Sequence, residues 1–262
     1  MELSDAYIQA YYGKVVAYVQ KNMGADGVLV DPESHNPTVT DNERIILALT
    51  AIGKDPANVG GKNLLTALQD RNIMQVTDTS KTDINGLVFG LLALNSGNYT
   101  QDSYWLVQAI LTQRNKDGSW SSSADTKPDG DVDMTAMALQ ALAKYRDRQD
   151  VADAVERGLT VLSQQQEENG GFVAYDSESS ESVAQVIVAL TELGVSLTDS
   201  RFVKSGNTLV SRLLEFRTEN GAFRHILDGE EDVMATEQGF YALVAVSRAE
   251  QGKSTLYTMT ET

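Results

Sequence analysis

Five apolar runs punctuate the chain, at residues 45–53, 86–94, 134–143, 183–194 and 239–246. Aligned on their last large apolar residues (Ile52, Leu94, Leu142, Leu193 and Val246) they recur at steps of 42, 48, 51 and 53 residues. They are rich in Ala and Leu, which predicts helices, and apolar nearly all round, which predicts burial on both faces. Segments of another kind lie between them, at 5–20, 61–71, 104–113, 150–166 and 202–217. In 150–166, Val151, Val155, Leu159 and Leu162 fall on one stripe, with Asp153, Glu156 and Arg157 outside it. That spacing predicts a helix with a single buried face, and the other four segments read the same way less cleanly.

The order is therefore amphipathic helix, then apolar helix, five times. The packing this implies has two layers, apolar helices inside and amphipathic ones covering them. The predicted fold is all-α, an α/α barrel or arc of about five outer/inner hairpins, with residues 1–262 as a single domain and no linker. Outer-to-inner connections are long (114–130, 218–232) and inner-to-outer ones short (54–60, 147–150). Long loops in a compact domain tend to carry function, so the end where inner helices start is the expected working face.

A turn recurs after the outer segments. It reads Gln113 to Gly118 and Trp120, then Gln166 to Gly170 and Phe172, then Gly221 and Phe223, while "QKNMGADGVL" and "QDRNIMQV" are decayed versions. Gly permits a left-handed turn after a helix, and the ring fills the corner. The pattern resembles the Gln…Gly-x-Trp repeat of the terpenoid cyclase and protein prenyltransferase α/α-toroid superfamily. The resemblance implies that Gln113, Gly118, Trp120, Gln166, Gly170, Phe172, Gly221 and Phe223 are structural, the Gln bonding a neighbouring helix end and the ring stacking on it.

A second stretch, "DVDMTA" (131–136), is similar to the acid motif of squalene-hopene-type cyclases. By that resemblance Asp133 takes the proton donor's place, with Asp131 and Thr135 beside it and Met134 where the family has a further Asp. Alkene protonation needs crowded, hydrogen-bonded carboxyls in a dry pocket, which the Met weakens. On the residues alone, Asp131 reads as a helix N-cap, since Asp41 and Asp83 hold the same place before their runs. Two residues on, the repeats hold Glu43, Asn85, Asp133, Ala184 and Glu237. Glu43, Asn85, Asp133 and Glu237, with Tyr241, are the expected ligand-binding rim.

Other chemistries fall away. The net charge of −16 opposes binding to nucleic acid and to anionic membranes. The chain has no Cys, which removes thiolate nucleophiles, Cys-ligated zinc and a thioester at "ATEQGF". Asp129, Asp131 and Asp133 have the start of an EF-hand spacing, but Met134 and Gln140 stand where Gly and Glu are needed. No metal, cofactor or membrane insertion is expected. "MELSDAYIQAYYGK" has no apolar signal-peptide core, and the polar ends suggest boundaries within a longer chain.

In texture, stretches such as "SSESVAQVIVALTELG" resemble toroid domains of secreted or wall-attached proteins of Gram-positive bacteria. The resemblance implies a secreted or cell-surface, non-catalytic module that holds an apolar or mixed ligand, or a protein partner, at the long-loop end. A class II terpene cyclase with a degenerate acid, and a structural spacer, stand as alternatives.

Overall fold

The computed structural model describes residues 4–70, 73–74, 84–99, 103–122, 130–174 and 177–260. Its helices are α1 (Asp5–Asn22), α2 (Val39–Ala51), α3 (Thr66–Gln69), α4 (Ile84–Ser96), α5 (Tyr104–Thr112), α6 (Val132–Leu142), α7 (Gln149–Gln165), α8 (Ser180–Glu192), α9 (Leu209–Glu215) and α10 (Val233–Glu250). Two antiparallel hairpins of two-residue strands, β1 (Val173–Ala174) with β2 (Ser177–Glu178) and β3 (Phe223–Arg224) with β4 (Glu231–Asp232), are the paired strands among the described residues. The chain forms two compact units, residues 1–109 with 258–262, and residues 110–257.

In the second unit α6, α8 and α10 are the inner helices, with α8 packed between the other two. All thirteen residues of α8 are buried, as its apolar sequence predicts. The outer helix α7 buries Val151, Val155, Leu159 and Leu162, the predicted stripe. Gly158 lets α7 approach closely, because a Cβ there would lie 2.9 Å from a methyl of Leu139 on α6. In the first unit α2 packs on α4, whose interior is also largely buried.

Three predicted elements differ. The helix expected over 61–71 is a single turn, Thr66–Gln69, preceded by Gly60 and Gly61 at φ +59° and +84°. The helix expected over 202–217 is split into a 3-10 turn at Ser200–Phe202 and the short α9, separated by a turn through Ser205 and Gly206 at φ +49° and +88°. The fifth apolar run is not buried on both faces: on α10, Val233, Met234, Phe240 and Val244 are exposed. The C-terminal residues are also more than a polar tail. In the second unit Arg248 donates to the Ser254 carbonyl (2.7 Å) and the Tyr257 N–H donates to Glu192 (3.0 Å). Burial raises the pKa of that Glu192 carboxyl, against the Tyr257 hydrogen bond, which lowers it.

The repeated turn is more regular than the sequence suggests. Gly27, Gly118, Gly170 and Gly221 all have φ between +83° and +107°. Each donates its N–H to the carbonyl three residues back: Gly24, Asn115, Glu167 and Thr218. The residue before each Gly is Asp26, Asp117, Asn169 or Asn220, whose side chain accepts the N–H two residues on (3.1, 3.0, 2.9 and 3.4 Å). The residue two after the Gly is Leu29, Trp120, Phe172 or Phe223, each fully buried. The first repeat has therefore not decayed, because Leu29 fills the corner that rings fill elsewhere. Gln113 and Gln166 stand five and four residues before their glycines, so they are not equivalent. Gln166 donates to the carbonyls of Gly170 (3.0 Å) and Phe202 (3.2 Å), tying the turn to the end of the next 3-10 helix.

A side chain in the first turn of the inner helix then clasps the buried corner residue. The Trp120 N–H donates to Thr135 Oγ1 (3.0 Å), and that hydroxyl donates back to the Trp120 carbonyl (3.3 Å). Phe223 and Thr236 repeat the pair at 2.9 and 3.4 Å. Asn42 plays the part for Leu29, accepting its N–H (2.9 Å) and donating to the carbonyls of Gly27 and Leu64. The Trp120 indole N–H donates to the Ile110 carbonyl (2.8 Å).

Two substitutions test this. Trp120→Ala should lower stability by roughly 3–5 kcal/mol, the usual cost of truncating a buried aromatic. Thr135→Val keeps the shape but leaves the Trp120 N–H and carbonyl without the hydroxyl, for a loss of about 1–3 kcal/mol. Urea denaturation midpoints read both, and an unchanged midpoint for Thr135→Val would show that the clasp contributes nothing.

Candidate functional site

The starts of α6, α8 and α10 share one register, set by their N-caps. Asp131 accepts from the N–H groups of Asp133 (2.8 Å) and Met134 (3.1 Å), Ser179 from Ser182 (3.2 Å), and Asp232 from Ala235 (2.8 Å). The side chain of Asp131 is therefore a helix cap, as expected. Asp41 is not one: the N-cap of α2 is Thr38, whose hydroxyl donates to Asp41 (2.9 Å). Asp83 and Asp129 lie outside the described residues.

Counted from the caps, Asp133 aligns with Glu181 and Met234, not with Ala184 and Glu237. The expected rim thus mixed two registers, because it was aligned on helix ends and the helices differ in length. Glu237 is exposed on α10. Glu43 and Asn85 belong to the first unit, on α2 and α4, where Glu43 is fully buried beside Gly90.

Asp133 is half-buried, and its Oδ1 is buried with no hydrogen-bond partner. Burial raises its pKa to about 6; the Ser182 hydroxyl opposes the shift, the charges of Asp131 and Glu181 add to it, and His225 opposes it. Next to it on α8, buried Glu181 faces His225 Nδ1 at 2.9–3.0 Å and takes a hydrogen bond from the Ser180 hydroxyl (3.1 Å). His225 follows β3, and its carbonyl accepts the Ser180 N–H (3.0 Å), so the β3–β4 hairpin is pinned to the start of α8.

A belt of amides runs deeper. Gln140 of α6 donates to the carbonyl and side chain of Gln185 on α8 (3.0 and 2.8 Å). Gln185 donates in turn to Gln238 (3.0 Å) and to the Tyr241 hydroxyl on α10. Burial raises the pKa of Tyr241 well above the ordinary phenol value, helped by charge on Tyr257, Asp133, Glu237 and Glu181, so its hydroxyl keeps its proton. The structure thus brings Asp133 and Tyr241 into one polar neighbourhood. Glu181, Ser182, His225, Gln140, Gln185 and Gln238 were missed from sequence. Aligning helix starts, with Ser179 as a cap, would have found Glu181.

Chemically this is a half-buried carboxyl that holds its proton, beside a carboxylate–histidine pair and above a self-paired amide belt. Two acidic neighbours stabilise the proton on Asp133, which is the reverse of what protonating an alkene requires. Met134, in the place of the family's further Asp, is buried in the core. Among the described residues, no group of three or more His, Asp or Glu side chains is placed to hold a metal ion, and no helix is long and apolar enough to cross a membrane.

Comparison with known proteins agrees with this architecture. Residues 116–221, which hold α6, α7, α8 and α9, match the family model of the squalene-hopene cyclase C-terminal domain. Among solved structures, Candida albicans protein geranylgeranyltransferase-I complexed with GGPP is similar with a TM-score of 0.65 and 13% identity, over 95% of this chain and 80% of that one. The ent-copalyl diphosphate synthase of Streptomyces platensis is similar with a TM-score of 0.58 and 15% identity, over 92% of this chain but 46% of that one. An unsaturated glucuronyl hydrolase from Bacillus sp. GL1 is similar with a TM-score of 0.55 and 14% identity, over 85% and 77%. No curated protein sequence matches. The fold is that of the terpenoid cyclase and protein prenyltransferase α/α toroids.

The raised pKa of Asp133 gives a signed expectation. Its retained proton adds stability fully below the unfolded value of 3.8, and that contribution is lost as pH rises through about 6. Asp133→Asn, which cannot ionise, should therefore gain on the native protein between pH 4 and pH 7, by at most ~3 kcal/mol. Asp131→Ala should lose about 1 kcal/mol as a cap deletion. Melting curves at both pH values read this; an Asp133→Asn difference that falls toward pH 7 would show that Asp133 is ionised and paired in the native state.

Proposed function

We propose that this protein is a non-catalytic module that binds a largely apolar ligand carrying one hydrogen-bonding group, recognised by Asp133. The supporting observation is the buried Oδ1 of Asp133, which has no hydrogen-bond partner. Buried polar atoms in folded proteins are nearly always paired, so an orphaned oxygen at the start of an inner helix is the mark of a missing partner. A ligand hydroxyl or amide can donate to it. His225 is the one positive group among those that act on Asp133, which fits a neutral head better than a diphosphate. The strongly acidic chain disfavours nucleic acid and anionic lipid as well. The resemblance in texture supports a secreted or cell-surface location.

A second reading, a class II terpene cyclase, is favoured by the match of residues 116–221, which include Asp131 and Asp133, to the squalene-hopene cyclase C-terminal domain. Incubation with squalene and with geranylgeranyl diphosphate, followed by mass spectrometry, should give no cyclised product. Titration with farnesol, followed by calorimetry, should show binding that Asp133→Leu weakens at least tenfold. A cyclised product that Asp133→Asn abolishes would replace the binding module by the cyclase.

A further inference from the structure

The N-cap register assigns the same face to the three inner helices of the second unit. One, five, eight and twelve residues after the caps, α6 and its short extension carry Val132, Ala136, Leu139 and Ala143; α8 carries Ser180, Ala184, Ile187 and Thr191; α10 carries Val233, Glu237, Phe240 and Val244. On α6 this is the face that the following outer helix covers, since Leu139 meets α7 at Gly158. On α8 the four residues are at most 6% exposed, and α9 packs against that helix. On α10 the same stripe is open: Val233 is 85%, Phe240 55% and Val244 46% exposed, and Glu237 is exposed between them.

We propose that this face of α10 is a docking site for an amphipathic helix of a partner protein, lying against α10 as α7 lies against α6. The interface continues an existing one by one repeat, so its chemistry can be read from the covered copies. Phe240 is larger than Leu139, so the partner presents Gly or Ala where α7 presents Gly158. Glu237 replaces Ala136 and Ala184 at the centre of an apolar stripe. A cation one turn along the partner helix satisfies it. A second copy of this chain fits less well, because two surfaces from molecules of net charge −16 repel and an isologous contact sets Glu237 near Glu237. The surface lies apart from the residues around Asp133 and does not depend on the ligand proposed there.

The probe is a labelled synthetic helix with the sequence of residues 149–165 carrying Val161→Lys, which sets the cation one antiparallel turn from Gly158. Fluorescence anisotropy should show saturable binding to the intact protein. Phe240→Asp and Val244→Asp should each weaken it at least tenfold with unchanged melting temperature, and Leu214→Asp, at an exposed apolar residue of α9, should leave it unchanged. Absence of binding, or equal binding by Phe240→Asp, overturns the proposal. So does a native dimer in light scattering that Phe240→Asp dissociates, which would make the occupant a second copy. Binding to phosphatidylcholine vesicles that Phe240→Asp abolishes overturns it too, in favour of a lipid surface.

Discussion

The hydrogen-bonded clasp between an Asx-Gly turn and the first turn of an inner helix is the constraint on which the rest of this fold depends. The buried corner residue has a backbone N–H and carbonyl that water cannot reach. Thr135 and Thr236 answer both groups with one hydroxyl, accepting from the N–H and donating to the carbonyl. Left unpaired, each would cost about 1–3 kcal/mol in the interior. The clasp also fixes direction. It holds the end of the outer-to-inner connection against the inner helix four residues past its cap, so helix starts are in register even where helix lengths differ.

Register at the starts is what assembles the polar neighbourhood. Asp133 and Glu181 occupy equivalent places on adjacent helices, and their charges meet because the clasps align the two N-termini. Desolvation then decides the chemistry. A carboxyl that shares its surroundings with two other acids keeps its proton, and a single histidine, half in solvent and already paired with Glu181, is too weak a counterweight. The same arrangement that makes Asp133 a poor proton donor leaves its inner oxygen open to a ligand.

Repeat architectures concentrate unfinished business at their ends, since each unit is stabilised by its neighbours. Helix α8 has an inner neighbour on each side and is buried along its whole length, whereas α10 has the same apolar composition without the following outer helix. Its exposed stripe follows from where the array stops among the described residues, and Glu237 in its midst keeps the surface soluble.

The sequence by itself determined the helix alternation, the α7 stripe, the capping role of Asp131 and the burial of Trp120, Phe172 and Phe223. Those features rest on local periodicity, turn stereochemistry and side-chain size, which neighbouring residues encode. It did not determine the lengths of α3 and α9, where glycine-centred turns overrode an amphipathic pattern. Nor did it reveal that Leu29 does the work of a ring, because filling a corner needs volume and not aromaticity. The pairing of Glu181 with His225, across 44 positions, and the orphaned oxygen of Asp133 were decided by tertiary structure alone. Electrostatic partners and desolvation depend on which helices pack together, and a pattern of apolar positions encodes the need for a neighbour without naming it.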